Sequence, residues 1–312
     1  MLMRRQLLTS LLGAFALAAA PFAATAQDAR KLDVVATFSI LGDLVKQVGG
    51  DRVTVTTLVG PNGDAHVYAP TPADGRRLAD AKIVFVNGLK FEGWIDRLIA
   101  SSGTKAATVE AAKGVKPLTG EEAHDHGADH DHGHDHGGLD PHAWQNIAHA
   151  KIYVANIRDA LIAADPAGRT AYETQAAAYL DKLEALDAEV KEKMSQIPKD
   201  RRRLITSHDA FRYFQEAYGI TFVSPQGVST DAEASARDVA KIIQQIKRER
   251  IKAVFVENVS DPRLMERIAK ETGARIGDRV FSDALSEPDG PAGTYIDMMR
   301  HNIRAFSAAL SS

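Results

Sequence analysis

Residues 168–197 read GRTAYETQAAAYLDKLEALDAEVKEKMSQI, and this pattern predicts one long amphipathic helix. Apolar side chains recur at every third or fourth position, at Tyr172, Ala176, Tyr179, Leu183, Leu186, Val190, Met194 and Ile197. Such a helix would be about 45 Å long, and Pro198 would end it because proline has no N–H to donate. This length is sufficient to serve two lobes as a shared backbone. A core helix of a single lobe is the alternative.

Strands and helices alternate on both sides of this segment. Before it, the sequence predicts strands at residues 34–38, 53–59 and 83–86, with helices at 40–48 and 72–81. After it, the sequence predicts strands at 203–208, 221–223 and 253–258, with helices at 210–218, 235–250 and 261–272. This alternation favours parallel sheets covered by helices. We therefore predict an α/β fold with two similar lobes, each with a central parallel sheet, and a cleft between them.

The first 26 residues have the pattern of a secretory signal peptide. Arg4 and Arg5 precede an apolar run at residues 7–20, and Ala24-Thr25-Ala26 is typical of a cleavage site. The run is shorter than the roughly 20 residues that a spanning helix needs. We expect a periplasmic protein with an N-terminal lobe at residues 27–165, a linking helix at 166–198 and a C-terminal lobe at 199–312.

The chain of 312 residues contains eleven histidines and no cysteine. Without cysteine there are no disulfides, thiolate zinc sites or iron–sulfur clusters, so a bound metal must use nitrogen and oxygen ligands. A lipid-anchored N-terminus also requires a cysteine, so we expect the protein not to be lipid-anchored. The formal net charge of −3 is not that of a nucleic-acid-binding protein.

Residues 121–138 form an insert that is rich in histidine and acidic residues. Six histidines lie in it, namely His124, His126, His130, His132, His134 and His136. Imidazole and carboxylate groups suit zinc, copper, nickel or manganese. We interpret the insert as an accessory metal-collecting loop with weak sites. The alternative is a solvated acidic linker that binds metal only incidentally.

Four further residues have the placement of a preformed site. His66, His208 and Asp283 each lie in a loop after a predicted strand, and His142 lies in the segment Asp-Pro-His-Ala-Trp. Ligands of open α/β sheets gather at the carboxyl ends of the strands. Because each half of the chain contributes two of these residues, we expect them to meet across the cleft.

The same segments resemble the zinc/manganese solute-binding proteins of bacterial ABC importers, the cluster A-I family. The matching motifs are Gly-Asp-Ala-His-Val-Tyr around His66, Asp-Pro-His-Ala-Trp around His142, Thr-Ser-His-Asp-Ala-Phe around His208, Val-Phe-Val-Glu-Asn ending at Asn258, and Asp-Ala-Leu-Ser from Asp283. The resemblance extends from about Leu32 to Leu310. It implies two α/β lobes, a rigid helix between them, and one buried metal held by His66, His142, His208 and Asp283.

The resemblance also implies the partners. It predicts a periplasmic receptor that delivers its metal to an ABC-type permease in the inner membrane, is not an enzyme and is expected to be a monomer. The histidine-rich insert resembles the zinc receptors of the family in particular, and a periplasmic zinc metallochaperone is a further candidate partner. The alternatives are a manganese or iron receptor, a periplasmic zinc buffer or adhesion protein, and a zinc hydrolase.

The donor set favours Zn²⁺ as the bound ion. Manganese receptors of this family usually have a carboxylate at the third ligand position, where this chain has His208. Three imidazoles and one carboxylate suit tetrahedral zinc, whereas Mn²⁺ prefers more oxygen ligands.

Several neighbouring residues are candidates for supporting roles. Asp140 and Glu257 are candidate hydrogen-bond partners of the metal-binding histidines, although the sequence does not assign either to a particular histidine. Trp144 and Tyr68 are candidates to shield the site or to support its ligands, but packing alone would also explain them. For His149 and His301, which lie on helical stretches, we predict structural or surface roles. The sequence offers no catalytic residues.

Overall fold

A computed structural model describes residues 31–119 and 138–311 of the chain. The predicted signal peptide and the six histidines of the insert lie outside these residues. Within the described part, the chain forms two four-stranded sheets and one helix of 27 residues. No described helix combines the length and the apolar character that crossing a membrane requires.

The first sheet consists of β1 (Leu32–Phe38), β2 (Val53–Val59), β3 (Ile83–Val86) and β4 (Ala107–Glu110). All neighbouring strands are parallel and the order is β2-β1-β3-β4. The side chains of β3 are all buried, as expected for an apolar strand covered on both faces. The helices of this lobe are α1 (Ser39–Gly49), α2 (Pro72–Asp80), α3 (Ile95–Ser102) and α4 (Ile147–Ala164).

The long helix α5 (Arg169–Ser195) follows α4. At 1.5 Å per residue it is about 40 Å long. It packs against α1 and α4 of the first lobe, and also against α6 (Arg212–Tyr218) and α9 (Tyr295–Ser311), which follow it in the chain. This confirms the prediction of a helix shared by both lobes.

The second sheet consists of β5 (Arg203–Ile205), β6 (Thr221–Val223), β7 (Ala253–Val254) and β8 (Arg275–Ile276). Its order is β6-β5-β7-β8, again parallel, and therefore repeats the order of the first sheet. The remaining helices are α7 (Ala236–Glu249) and α8 (Arg263–Thr272). The prediction of two similar lobes is confirmed.

The strands of the second lobe are shorter than predicted. The strand predicted at 253–258 is regular only at Ala253–Val254, and beyond it Glu257 makes a single parallel bridge with Val280. One apolar core includes residues of both sheets and of α5 and α9, and a smaller core lies between the second sheet, α7 and α8. The boundaries drawn at residues 165 and 198 stay a prediction, because the main core extends across both.

Candidate metal site

Four side chains on four separate loops converge at one point. Ligand atoms of His66, His142, His208 and Asp283 all lie within 4.8 Å of one another. The side chains of His142, His208 and Asp283 are fully buried, and that of His66 is 4% exposed. All four residues singled out in the sequence therefore meet in the structure.

These loops leave the sheets at the edge where the parallel strands end. His66 lies on the loop after β2, and His208 is the third residue after β5. His142 immediately precedes the short 3-10 helix Ala143–Gln145. Asp283 lies three residues after Val280. We predicted an apolar strand before Asp283, but Val280 forms only a single parallel bridge with Glu257.

The three imidazoles face one another through their Nε2 atoms. His142 Nε2 lies 3.3 Å from His66 Nε2 and 3.4 Å from His208 Nε2. Ligand atoms placed 2.0–2.1 Å from a tetrahedral centre are about 3.3–3.4 Å apart. The nitrogen spacing therefore matches that of ligands around one small cation.

The carboxylate of Asp283 closes the fourth side. Its Oδ2 lies 3.4 Å from His66 Nε2 and 3.0 Å from His208 Nε2, and its Oδ1 lies 3.5 Å from His142 Nε2. Among the described residues, neither oxygen accepts a hydrogen bond of good geometry. A buried carboxylate without such donors is unfavourable unless a cation compensates its charge.

Asp140 orients the ring of His142. Its Oδ1 accepts a hydrogen bond from the backbone N–H of His142 at 3.0 Å and lies 2.8 Å from the ring Nδ1. A carboxylate at Nδ1 favours the tautomer with the proton on that atom, which leaves the lone pair on Nε2. Nε2 is the atom that points to the centre of the cluster.

Glu257 has the same role for His208. Its carboxylate contacts the ring Nδ1 of His208 and accepts a hydrogen bond from the backbone N–H at 2.9 Å. Both residues predicted as supporting partners are confirmed, and the structure assigns each to its histidine.

The charges at the site are strongly coupled. Burial alone would lower the pKa of His142, but the charges and hydrogen bonds of Asp283 and Asp140 outweigh it and raise the pKa to about 9. For His208, Glu257 and Asp283 likewise outweigh burial and hold the pKa well above its usual value. Burial would raise the pKa of Asp283, yet the two histidines lower it far below the ordinary range.

The arrangement therefore attracts positive charge. Asp140, Glu257 and Asp283 bring three carboxylates into a buried space, and Arg212 Nη1 lies 4.0 Å from Asp140 Oδ2. Because their pKa values are raised, His142 and His208 hold protons in the metal-free site, and these protons compensate the buried carboxylates. A divalent cation bound to the imidazoles would replace these protons.

His66 is supported differently from the other two histidines. Its backbone N–H donates to Asp64 Oδ1 at 2.9 Å, and its ring packs edge-on against Phe91 with centroids 4.7 Å apart. The other oxygen of Asp64 accepts a hydrogen bond from Thr230 of the second lobe at 2.6 Å. Among the described residues, no carboxylate contacts the Nδ1 atom of His66.

The other residues named from the sequence have structural contacts. Trp144 Nε1 donates to the carbonyl of Ser282, the residue before Asp283, at 2.9 Å. The hydroxyl of Tyr68 donates to Asp74 at 2.8 Å and so does not support a ligand directly. His149 packs against the ring of Tyr213, and His301 donates to the carbonyl of Arg279 at 2.8 Å.

The sequence reasoning missed the loop after β3. Phe91 of this loop contacts the rings of His66 and His142, and Trp94 Nε1 donates to the carbonyl of Ala65 at 2.8 Å. The sequence does contain a signal for this loop, because Asn87-Gly88 ends a buried strand. The loop that follows therefore begins at the carboxyl edge of the sheet, where the proposed ligands also lie.

Comparison with known proteins identifies the family. The sequence profile described as zinc-uptake complex component A, periplasmic (ZnuA) matches residues 34–309. The manganese-binding lipoprotein MntA of Halalkalibacterium halodurans is 33% identical over 287 residues, which cover 92% of this chain and 91% of that protein. The iron-binding protein YfeA of Yersinia pestis is 33% identical over 275 residues, which cover 88% and 85%.

Solved structures agree with this assignment. The periplasmic zinc binding protein TroA from Treponema pallidum superposes with a TM-score of 0.80 at 29% identity, over 90% of this chain and 99% of that chain. The family match confirms the prediction of a binding protein and sets aside the hydrolase alternative. The chain belongs to the ZnuA family, the periplasmic metal-binding proteins of ABC metal importers.

Proposed function

We propose that this chain is a zinc receptor, which captures Zn²⁺ in the periplasm as a monomer and delivers it to an inner-membrane ABC permease. The proposed ligands are His66, His142, His208 and Asp283. The observation that carries the proposal is the convergence of three imidazole Nε2 atoms on one buried carboxylate, with His142 Nε2 at 3.3 and 3.4 Å from the other two. Four protein ligands would close a tetrahedral shell, which suits binding rather than catalysis.

The identity of the metal rests on the donor set. The relatives named above have manganese, iron and zinc in their names, so the names do not favour one metal. Three nitrogen donors favour Zn²⁺ over Mn²⁺, which prefers oxygen. Manganese is the second candidate because both oxygens of Asp283 face the cluster, and a bidentate aspartate would suit a larger ion with more ligands.

Native mass spectrometry with metal analysis tests this choice on protein purified without added metal. We expect one tightly held zinc, which an excess of manganese does not displace. The matched variant is His208→Glu, which exchanges one nitrogen donor for oxygen and should shift the preference towards manganese. Manganese in the tight site of the unmodified protein would overturn the zinc assignment.

The histidine-rich insert has a separate proposed role. Residues 121–137 lie outside the described residues, so this proposal rests on composition alone. We expect the insert to bind further zinc ions weakly and to raise their local concentration, or to accept them from a periplasmic metallochaperone. Deleting residues 121–137 should leave one tight zinc and remove the weaker ones. An unchanged zinc stoichiometry after the deletion would contradict this role.

The mode of attachment to the cell is also a proposal. MntA, for example, is named as a lipoprotein, which does not support the expectation that this protein is unanchored. The sequence has no cysteine to carry a lipid, and this is the basis for proposing an unanchored periplasmic protein. Osmotic-shock fractionation tests it, because an unanchored protein is released with the periplasmic contents, whereas an anchored one stays with the membranes.

A further inference from the structure

The loop formed by residues 87–94 contacts both ligand-bearing loops of the first lobe. Asn87 begins it, directly after β3, and its side-chain Nδ2 donates to the carbonyl of Pro141, the residue before His142, at 2.9 Å. Trp94 ends it, and its Nε1 donates to the carbonyl of Ala65, the residue before His66, at 2.8 Å. The two ends of the 87–94 loop are thus attached to the residues that precede two proposed ligands.

Phe91 lies between these two attachment points. Its side chain is 2% exposed, and its ring centroid lies 4.7 Å from that of His66 and 6.1 Å from that of His142. Phe38 and Trp144 pack on the same ring at 4.9 and 5.0 Å. Because packed interiors have little free volume, the position of Phe91 limits where both imidazoles can lie.

The backbone between Asn87 and Phe91 adopts an unfavourable conformation. Gly88, Leu89 and Lys90 have φ angles of 87°, 54° and 62°, so three successive residues lie on the left-handed side, and two of them are not glycine. Leucine and lysine rarely adopt this conformation, since their Cβ approaches the carbonyl oxygen too closely. Surrounding contacts must therefore hold the loop in place.

Glu92 supplies those contacts. Its side chain is 5% exposed, and its Oε1 accepts hydrogen bonds from the backbone N–H of Asn87 at 2.6 Å and from Thr37 Oγ1 at 2.5 Å. The first bond closes the loop on its own first residue, and the second attaches it to β1. The hydroxyl of Tyr153 donates to Asn87 Oδ1 at 2.7 Å and fixes that residue from the other side.

We propose that Glu92 is a positioning residue for the metal site. It holds the strained 87–94 loop so that Phe91 and Trp94 fix the ring of His66 and Asn87 fixes the segment before His142. Glu92 is not one of the four residues whose ligand atoms converge. The inference rests on the proposed ligand set, because it assigns Glu92 a function only if His66 and His142 bind the ion.

The test compares two replacements of Glu92 with a control. Glu92→Ala removes both hydrogen bonds, whereas Glu92→Gln retains an Oε1 acceptor for Asn87 and Thr37. Asp187→Ala is the matched control, since Asp187 is a carboxylate on α5 with the same 5% exposure, bonded to Tyr218 and Lys191. Zinc affinity is measured by competition with a chelator, and the visible spectrum of bound Co²⁺ reports the geometry of the site.

We expect Glu92→Ala to weaken zinc binding about tenfold. Replacing a residue that orients metal ligands typically lowers metal affinity by about 10–100-fold, and this is the lower end of that range. Its Co²⁺ spectrum should change, whereas Glu92→Gln should stay within about threefold of the unmodified affinity with an unaltered spectrum. Asp187→Ala should bind zinc as the unmodified protein does. Equal losses in Glu92→Ala and Asp187→Ala, or no rescue by glutamine, would overturn the proposal.

Phe91→Leu provides a test that does not depend on the stability of the Glu92 variants. It leaves the hydrogen bonds of Glu92 in place and removes only the ring that packs on the two histidines. We expect weaker zinc binding and a changed Co²⁺ spectrum, and unaltered values of both would overturn the proposal. His208→Ala separates the two hypotheses. If it retains tight zinc, the ligand set is wrong, whereas if it loses zinc while Glu92→Ala does not, only the role of Glu92 is wrong.

Discussion

The three histidines of the cluster are supported in two different ways. The rings of His142 and His208 are each held directly at Nδ1 by a buried carboxylate, that of Asp140 and of Glu257. The ring of His66 is held by packing against Phe91, and its loop is attached to the second lobe through Asp64 and Thr230. Direct carboxylate support fixes the tautomer and basicity of a ligand, whereas packing fixes only its position.

This difference predicts which ligand moves when the metal is released. His142 and His208 are fully buried, and moving either ring would leave a buried carboxylate without its partner. The side chain of His66 is 4% exposed, and among the described residues no carboxylate at its Nδ1 would lose a partner if the ring moved. We expect His66 to be the ligand that swings away, while the other two histidines stay in place.

The largest predicted effect separates the two kinds of histidine. His208→Ala should weaken zinc binding roughly 10²–10³-fold. Four-ligand zinc sites have binding free energies of ~10–16 kcal/mol, and the loss of one ligand of four should remove about a quarter of that. His66→Ala should cost only about tenfold, because water can replace a ligand at the edge of the site. Chelator competition measures both affinities. Equal losses, or a larger loss for His66→Ala, would remove the distinction.

The support of His66 should also make folding depend on pH. Burial raises the pKa of Glu92 to about 7, against an ordinary value near 4.5, although hydrogen bonds from Asn87 and Thr37 lower it in part. A carboxyl with a raised pKa favours the folded state below its unfolded pKa, and this contribution is lost as the pH rises through about 7. Relative to Glu92→Gln, the unmodified protein should therefore lose about 2–4 kcal/mol of unfolding free energy between pH 4 and pH 8. Urea unfolding in the presence of a chelator measures this, and a difference that does not vary with pH would contradict it.

Removing the carboxylate support should weaken zinc binding less than removing the ligand. Glu257→Gln and Asp140→Asn each replace a charged acceptor at a ring Nδ1 by a neutral amide, and each should lower zinc affinity about 10–100-fold. Isothermal titration in competition with a chelator checks both. If neither variant differs from the unmodified protein in zinc affinity, the carboxylates do not strengthen the binding of zinc by His142 and His208.

The smallest predicted effect concerns the contact between the lobes. Thr230→Val removes the hydroxyl that donates to Asp64, and one such hydrogen bond contributes about 0.5–1.5 kcal/mol. We expect zinc to dissociate roughly two- to tenfold faster, as measured by transfer to a fluorescent chelator in a stopped-flow instrument. Thr174→Val is the control, because the hydroxyl of Thr174 donates to the carbonyl of Thr170 in its own helix and to no other described residue. A dissociation rate unaffected by Thr230→Val would show that this contact does not hold His66.

The sequence predicted the proposed ligands better than their support. His66 follows a strand rich in β-branched residues, and His208 follows the short strand Arg203–Ile205, so their place at the carboxyl edge of a sheet is readable from the local pattern. Glu92 acts on Thr37, 55 positions earlier in the chain, and no local pattern reveals such a contact. The left-handed backbone at Leu89 and Lys90 is equally hidden, since neither residue type favours it.

The elements missed in the fold have a similar cause. The edge strands β4 and β8 are short and largely exposed, and they therefore lack the apolar run that marks β3. The strand predicted at 253–258 is regular only at Ala253–Val254, and the Glu257 side chain at its far end accepts a hydrogen bond from the distant His208. Local sequence patterns thus predict the buried strands and helices of each lobe, whereas the conformation of the loops depends on contacts between residues far apart in the sequence.

X-ray absorption spectroscopy of the zinc-loaded protein without residues 121–137 tests the central claim most directly. The deletion removes the six histidines of the insert, so the signal comes from the tight site alone. We predict three imidazole nitrogens and one carboxylate, with zinc–ligand distances of about 2.0–2.2 Å. A shell with two or fewer imidazoles, or one of six ligands dominated by oxygen, would contradict the proposed site.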